Sequence, residues 1–388
     1  MAKTKVQKPG INKDARLVRH LFDSNKLKNV PTRNGYGEGV VEAGETNKNI
    51  VVLCCDLTES TRSLAFKKAF PDRFIQMGIA EQALASIAAG LALAGKVPFI
   101  SSYAAFSPGR NWEQIKTCVA LQNTNVKIAG AHAGLSVGPD GATHQMLEDI
   151  AIMRAVPNMT VVVPCDYLET KKATLAGAKR KGPYYFRFAR AGSPAFTTKN
   201  TPFKVGRAET YRHGTDLTIV AAGPLLYEAL LAAEMLSADH GIECRVINCH
   251  TIKPLDVKTI VRAAKETGAI VTVEEAQVTG GLAGAVCETL ALTTPVPVER
   301  IGAQDRFGES AEPRQVQEGL GVTAQFIALA ADRVLQRKLG KRVPKVPVHI
   351  SAAQELLKIS QDKIMKEALS RTPKKWGGKK PDSSLKSR

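Results

Sequence analysis

No run of 18 uncharged apolar residues occurs in this 388-residue chain, so nothing in it reads as a membrane-spanning helix. The N-terminal stretch carries Lys3, Lys5, Lys8 and Lys13 without an apolar segment, which is not the pattern of a secretory signal. The seven cysteines, at 54, 55, 118, 165, 244, 249 and 287, are odd in number and lack the paired spacing of a metal site. Several lie in apolar runs, as reduced core thiols of a cytosolic protein do, and the expected location is cytoplasmic. An ordered Gly-x-Gly-x-x-Gly is missing too. The glycine-rich stretch at 280–284 therefore reads as a tight strand-to-helix packing turn and not as a phosphate loop.

A net charge of +18 suggests nucleic-acid binding until it is divided by region. Residues 1–33 hold nine Lys/Arg against two acids, and residues 341–388 hold thirteen against four, which leaves the core from 34 to 340 at +2. Basic tails on a neutral body are solvated extensions, so nucleic acid is not an expected partner.

Length and 44% hydrophobic content allow two domains with a core each. The expected fold class is α/β, with two doubly wound domains and basic tails. Residues 1–30 read as a basic arm with an apolar patch at 17–22 and an optional helix. The first domain, 31–190, opens with a helix through 39–45 and a strand at 50–55, and strands and helices then alternate through 97–187. Residues 191–206, interrupted by Pro, Gly and Thr, form a linker. The second domain, 207–338, has strands at 217–222, 243–249, 270–274 and 298–301 and a final amphipathic helix at 322–337. Residues 339–388 read as a basic, mostly disordered tail with one helix near 352–368.

The chemistry concentrates in residues 77–145. Glu81 follows the strand-like run 74–77 and opens an Ala/Gly-rich apolar segment to Gly95, which places a carboxylate at a helix N-terminus. Alone it would read as a capping glutamate. Yet the strand at 97–102 is followed by Tyr103 and Phe106, the strand at 126–131 by His132, and the next loop carries Asp140 and His144. In parallel sheets ligands sit beyond the carboxyl ends of the strands, so the two rings can wall a flat heterocycle within reach of Glu81. Asp56 and Ser60 lie in the acidic, hydroxyl-bearing loop after the first strand, where N-capping by Thr58 or Ser60 is the alternative role.

The run from Gly78 to Asp166 closely resembles the pyrimidine-binding domain of transketolases, in particular the separate C-terminal subunit of split transketolases. The resemblance rests on Gly-Ile-Ala-Glu-Gln at 78–82, Pro-Gly-Arg-Asn-Trp-Glu-Gln at 108–114, Ala-His-Ala-Gly-Leu-Ser-Val-Gly-Pro-Asp-Gly-Ala-Thr-His-Gln at 131–145 and Pro-Asn-Met-Thr-Val-Val-Val-Pro-Cys-Asp at 157–166. It extends upstream to 31–33 and downstream to 298–308, about four-fifths of the chain. It implies a pyrimidine-binding domain followed by a transketolase C-terminal domain, and transfer of a two-carbon ketol unit between sugar phosphates in the non-oxidative pentose phosphate pathway. The implied cofactor is thiamine diphosphate. Glu81 then takes the ring nitrogen N1′, Tyr103 and Phe106 face the pyrimidine, and Asp56 joins the cofactor site. Asp140 and His144 meet the sugar hydroxyls, His132 lies deeper toward the phosphate end, and Arg33, Ser60 and Arg190 bind the phosphate, for which a planar guanidinium fork is suited.

Measured against that family, the Gly-Asp-Gly motif that carries Mg²⁺ and the diphosphate is absent from the sequence. The resemblance therefore implies a composite site shared with a separate diphosphate-binding N-terminal subunit that supplies the Mg²⁺ ligands, in a heterotetramer. The alternatives are half of a deoxyxylulose-phosphate synthase-like or 2-oxo acid dehydrogenase-like enzyme, or a non-catalytic scaffold whose basic tails bind nucleic acid. His132 and His144, twelve residues apart, speak against the first two, since the synthases usually show Asp-Arg-Ala-Gly where this chain has Ala131-His132-Ala133-Gly134.

Overall fold

The computed structural model describes residues 8–341 and residue 343, so the helix expected near 352–368 and most of the basic tail lie outside the described residues. In chain order the elements of the first sequence block are β1 (Gly10–Ile11), β2 (Asn29–Pro31), α1 (Thr32–Thr46), β3 (Ile50–Cys54), α2 (Leu64–Ala69), β4 (Phe74–Gln76), α3 (Glu81–Leu93), β5 (Val97–Tyr103), β6 (Lys127–Ala131), β7 (Thr160–Val162), β8 (Tyr184–Phe188) and β9 (Gly192–Pro194). The second contributes β10 (Glu209–His213), β11 (Leu217–Ala221), β12 (Cys244–Asn248), β13 (Thr251–Lys253), β14 (Ile270–Gln277) and β15 (Val298–Ala303), with a closing helix at Ala324–Lys338.

β3, β6 and β8 are buried at every position, as strands must be when helices cover both faces of a parallel sheet. The first sheet has the order β13-β7-β8-β6-β5-β3-β4, and all its neighbours are parallel except β13 against β7. The second has the order β1-β10-β12-β11-β14-β15, parallel from β12 to β15 and antiparallel at its β1–β10–β12 end. Both are doubly wound α/β units, as the alternation of the sequence implies.

The N-terminal stretch departs from the expected arm. Its described part carries no α-helix over 17–22. Instead β1 adds an edge strand to the second sheet and β2 pairs with β9, while Ala15, Leu21 and Leu27 are buried in the second domain's core. The Tyr227 hydroxyl donates to Leu21 O at 3.0 Å. Apolar residues at 17, 18 and 21 are too few for a helix that stands alone, and a ready apolar surface takes them up in irregular and turn conformation. The connection at 191–206 is likewise laced down. Phe196 is fully buried, and Asp166 accepts from Phe196 N, Thr197 N and Thr197 Oγ1 at 2.8–3.1 Å. β13, from the second half of the chain, closes the edge of the first sheet, so each sheet borrows a strand from outside its own sequence block.

If residues 10–28 are structural, removing residues 1–28 strips two leucines from the core and lowers unfolding free energy by about 3–6 kcal/mol. Denaturant titration of the truncated and full chains checks this, since a detached arm would leave the midpoint unchanged.

Candidate active site

The parallel sheet sends every strand's carboxyl end to one edge, and the sequence there is polar. β5 ends at Tyr103, β6 is followed by His132, β8 by Arg190, β3 by Asp56 and Ser60, and β4 by Glu81 at the first position of α3. Arg33 enters from the first turn of α1.

At the centre lies His132, which is fully buried. Its ring stacks on Tyr103 at 3.9 Å between centroids. Its Nε2 lies 3.3 Å from Arg33 Nη1 and 3.3 Å from Ser60 Oγ, and Ser60 Oγ is 2.6 Å from the Tyr103 hydroxyl. A guanidinium can only donate, so Nε2 accepts and the ring proton sits on Nδ1, which is buried without a partner among the described residues. Burial first, then the charges of Arg33, Arg190 and Arg62, push the His132 pKa down to about 3. The imidazole is thus neutral at physiological pH. Burial likewise lowers the pKa of Arg33, with Arg62 and Arg190 adding like-charge repulsion.

Around this centre the rings form a wall. Tyr103 and Phe106 are near-parallel with centroids 6.0 Å apart, and the His144 ring stands edge-on to both at 6.2 and 5.5 Å. Glu81 is 2% exposed at the N-terminus of α3, where the helix dipole favours an anion. Its Oε2 accepts from Arg110 Nη1 at 2.9 Å, and the Arg110 guanidinium also lies 4.8 Å from the Phe106 ring centre. Asn111 Nδ2 donates to the Glu81 carbonyl at 2.8 Å. Asp140 faces Arg190, with Nη1 3.2 Å from Oδ1, and the same nitrogen donates to Val137 O at 2.7 Å. Arg190 is therefore already paired with an acid, whereas among the described residues Arg33 is bonded only to Ser60 O and His132.

Nine of the ten expected residues, Arg33, Ser60, Glu81, Tyr103, Phe106, His132, Asp140, His144 and Arg190, thus lie along one connected edge. Asp56 stands apart, exposed and exchanging hydrogen bonds with Gln76 at 3.2–3.3 Å. Sequence reasoning passed over Arg110 and Arg62, although Arg110 lies inside the quoted 108–114 motif. Arg62, two residues after Ser60, is half-buried with left-handed backbone (φ 69°), and its Nε donates to Asn34 Oδ1 at 2.9 Å. Asp56 (φ 53°) and His132 (φ 55°) share that strained backbone, which costs about 1–3 kcal/mol per residue and clusters at functional sites.

The loop carrying Asp140 is fastened to the second domain. A Cβ at Gly134 (φ 84°) would fall 2.7 Å from Glu275 Oε2 and 2.8 Å from Arg187 Nη2, so only glycine fits there. The Glu275 carboxyl, bonded by the Ser136 and Leu135 amides, has its pKa pushed up to about 7 by burial. Arg187 in turn pairs with the buried Asp149 at 3.2 Å. The amides at the start of the 280–284 stretch, Leu282 N and Ala283 N, are taken by Glu274 at 2.7–2.8 Å, as a packing turn requires.

Comparison with known proteins now decides the family. Residues 28–194 match the transketolase pyrimidine-binding domain and residues 206–327 the transketolase C-terminal domain. The chain belongs to the transketolase family. It is 43% identical to a putative transketolase C-terminal section of Methanocaldococcus jannaschii, over 76% of this chain and 93% of that one. It is 39% identical to a 6-deoxy-6-sulfo-D-fructose transketolase subunit of a Clostridium species, over 81% and 97% respectively. A split-gene transketolase, described as an inactive β4 tetramer, superposes with a TM-score of 0.75 at 44% identity, covering 80% of this chain and 99% of that one. The likeness to split transketolase subunits read from the sequence therefore holds.

A neutral His132 has a measurable signature. Its ring resonances should not titrate between pH 5 and 8, and on its own account stability should fall as pH drops from 6.5 toward 3, by at most about 1.4 kcal/mol per pH unit, because only the unfolded chain takes up the proton. NMR titration of the labelled histidine checks the first and pH-dependent denaturation of wild type against His132→Gln the second. A transition near pH 6.5 would contradict the buried, arginine-flanked geometry.

Proposed function

We propose that this chain is the pyrimidine-binding, C-terminal subunit of a split transketolase, moving a two-carbon ketol unit from a ketose phosphate to an aldose phosphate. The observation that carries the reading is the convergence, on one sheet edge, of a buried carboxylate, two near-parallel rings and two guanidinium groups about a neutral histidine.

The residues fit thiamine diphosphate. Glu81 offers an acceptor shielded from water, and Tyr103 and Phe106 offer apolar ring faces beside it. Glu81 would hold the ring nitrogen, the two rings would pack on the pyrimidine, and Asp56 would contribute from the rim of the site. When bound, the cofactor supplies a group able to stabilise negative charge on a ketose carbon. This chain's own residues bind and orient the sugar. Neutral His132 can donate or accept a hydrogen bond without bringing a charge, and His144 and Asp140 present polar atoms to the hydroxyls. Arg33, Ser60 and Arg190 would take the phosphate, and Arg190 exchanges Asp140 for it. The metal ligands are assigned to the partner subunit. A docking face for it is the outer side of α3, where Ala83, Ser86, Ile87, Gly90 and Leu93 are all exposed along the helix that Glu81 opens. Small and apolar residues on the solvent side of a helix are what close helix-to-helix approach needs. Sugar phosphates are the proposed substrates, in a cytoplasmic pentose phosphate route and a heterotetrameric assembly. A sulfonate, such as the sugar in the Clostridium relative's name, offers the same arginines a monoanion, and a phosphate dianion engages more of their charge.

Kinetics on the assembled subunits test this. Glu81→Gln should abolish most turnover with the fold retained. Arg33→Ala should raise KM for a pentulose phosphate by about tenfold to a hundredfold, losing one charge-assisted bond of about 1.5–3 kcal/mol, and barely alter KM for hydroxypyruvate. Equal effects on the two donors would remove the phosphate assignment, and full turnover without a partner subunit would sink the split site. Ile87→Glu should prevent co-elution with the partner in size-exclusion chromatography, and undisturbed assembly would exclude the α3 face.

A further inference from the structure

A buried carboxylate needs a counter-charge, and Glu81 has one that the proposed chemistry does not use. Its side chain is 2% exposed and its ion-pair partner among the described residues is Arg110, at 2.9 Å and 48% exposed. Leaving such a carboxylate unpaired would be costly, because desolvation of a charge is recovered only by a partner. Arg110 comes from the loop after β5, whose fixed points are Asn111 Nδ2 on Glu81 O and Ser107 Oγ at 2.8 and 3.2 Å. The Arg110 guanidinium itself makes no other side-chain hydrogen bond among the described residues. It lies over the Phe106 ring at 4.8 Å, within the range of a cation–π contact. A flat group of N–H donors therefore bonds the carboxylate and covers an aromatic face at once. Those are the two contacts that a planar nitrogen heterocycle held by Glu81 and Phe106 would make.

We propose that Arg110 is a displaceable counter-ion of Glu81: it holds the carboxylate in the cofactor-free chain and swings into solvent when a planar nitrogen heterocycle takes its two contacts. This rests on the assignment of Glu81 and Phe106 to the cofactor. Nothing else among the described residues anchors the guanidinium, and half of the side chain already faces solvent, so its departure breaks only the two contacts that the incoming ring remakes. Arg110 is a positioning residue in this scheme, acting through Glu81. A contact present only in the free state opposes binding by the free energy it contributes, so its removal weakens the free chain and tightens the complex by the same factor.

The experiment has two arms. Thermal unfolding of the full chain should show Arg110→Ala and Arg110→Met lowering Tm by about 1–3 °C, a modest shift because the pair is half solvated and the chain is long, with little further loss in the Glu81→Gln background. Arg110→Met keeps the stem over Phe106 and separates lost charge from lost packing, and Arg110→Lys should restore most of the Tm. Thiamine diphosphate titrated into the subunit complex should bind the Arg110→Ala and Arg110→Met proteins about fivefold to thirtyfold more tightly than wild type, followed by tryptophan fluorescence or calorimetry. An unchanged Tm in the free chain would show that Arg110 is no counter-ion. Weaker cofactor binding in both variants would show that the arginine stays at the site, and either result overturns the exchange. Binding by wild type that survives Glu81→Gln unweakened would overturn the functional reading itself, and no binding by wild type would overturn both.

Discussion

Everything at this site follows from parallel pairing. In β3, β5, β6 and β8 the carboxyl ends lie side by side, so residues separated by up to 157 positions, Arg33 and Arg190 among them, come to one edge without any strand being long. The strand interiors are apolar because helices cover both faces, and polar residues are confined to the ends. A fold of this kind separates its tasks by position along each strand: the middle supplies cohesion, the end supplies chemistry.

Electrostatically the edge carries more cationic than anionic groups. Arg33 and Arg62 have no carboxylate partner among the described residues, and only Arg190 is matched, by Asp140. Burial of a base beneath these cations leaves it neutral, which makes His132 a hydrogen-bonding group and not a charge. Guanidinium groups gathered without carboxylate partners around a neutral imidazole repel one another, which costs stability. Glu81 shows the opposite arrangement, an anion that carries its own cation with it.

The second domain is more than an appendage to this edge. Glu275 and Arg187 grip the turn at Gly134, and Gln145 Nε2 donates to Glu309 O at 3.0 Å on the far side of the same loop. A second cross-domain network joins Glu169 to Asn248 and Tyr211, with Asn248 Nδ2 2.7 Å from the carboxylate. Burial pushes the Glu169 pKa up to about 7, so this contact too sits close to its own titration point. The position of Asp140 and His144 is thereby tied to how the two sheets pack.

The amino-acid order alone determined the elements that bury a continuous apolar run. β3, β5, β6, β11 and β12 fall within a residue or so of their expected bounds, because a 4–8-residue apolar stretch between turn formers has few other uses. It also determined which residue types stand at the sheet edge, since short motifs such as 78–82 and 131–145 lie at the strand ends that a parallel sheet must expose. Tertiary structure decided the rest. β1, β2, β9 and β13 are two or three residues long, too short for any periodicity to register, and they exist only because another segment offers free backbone groups to pair with. Arg110 was invisible as a partner of Glu81 for a related reason. A guanidinium on a long stem has no preferred neighbour in sequence, and which carboxylate it meets, 29 residues away, is fixed by where two loops end in space.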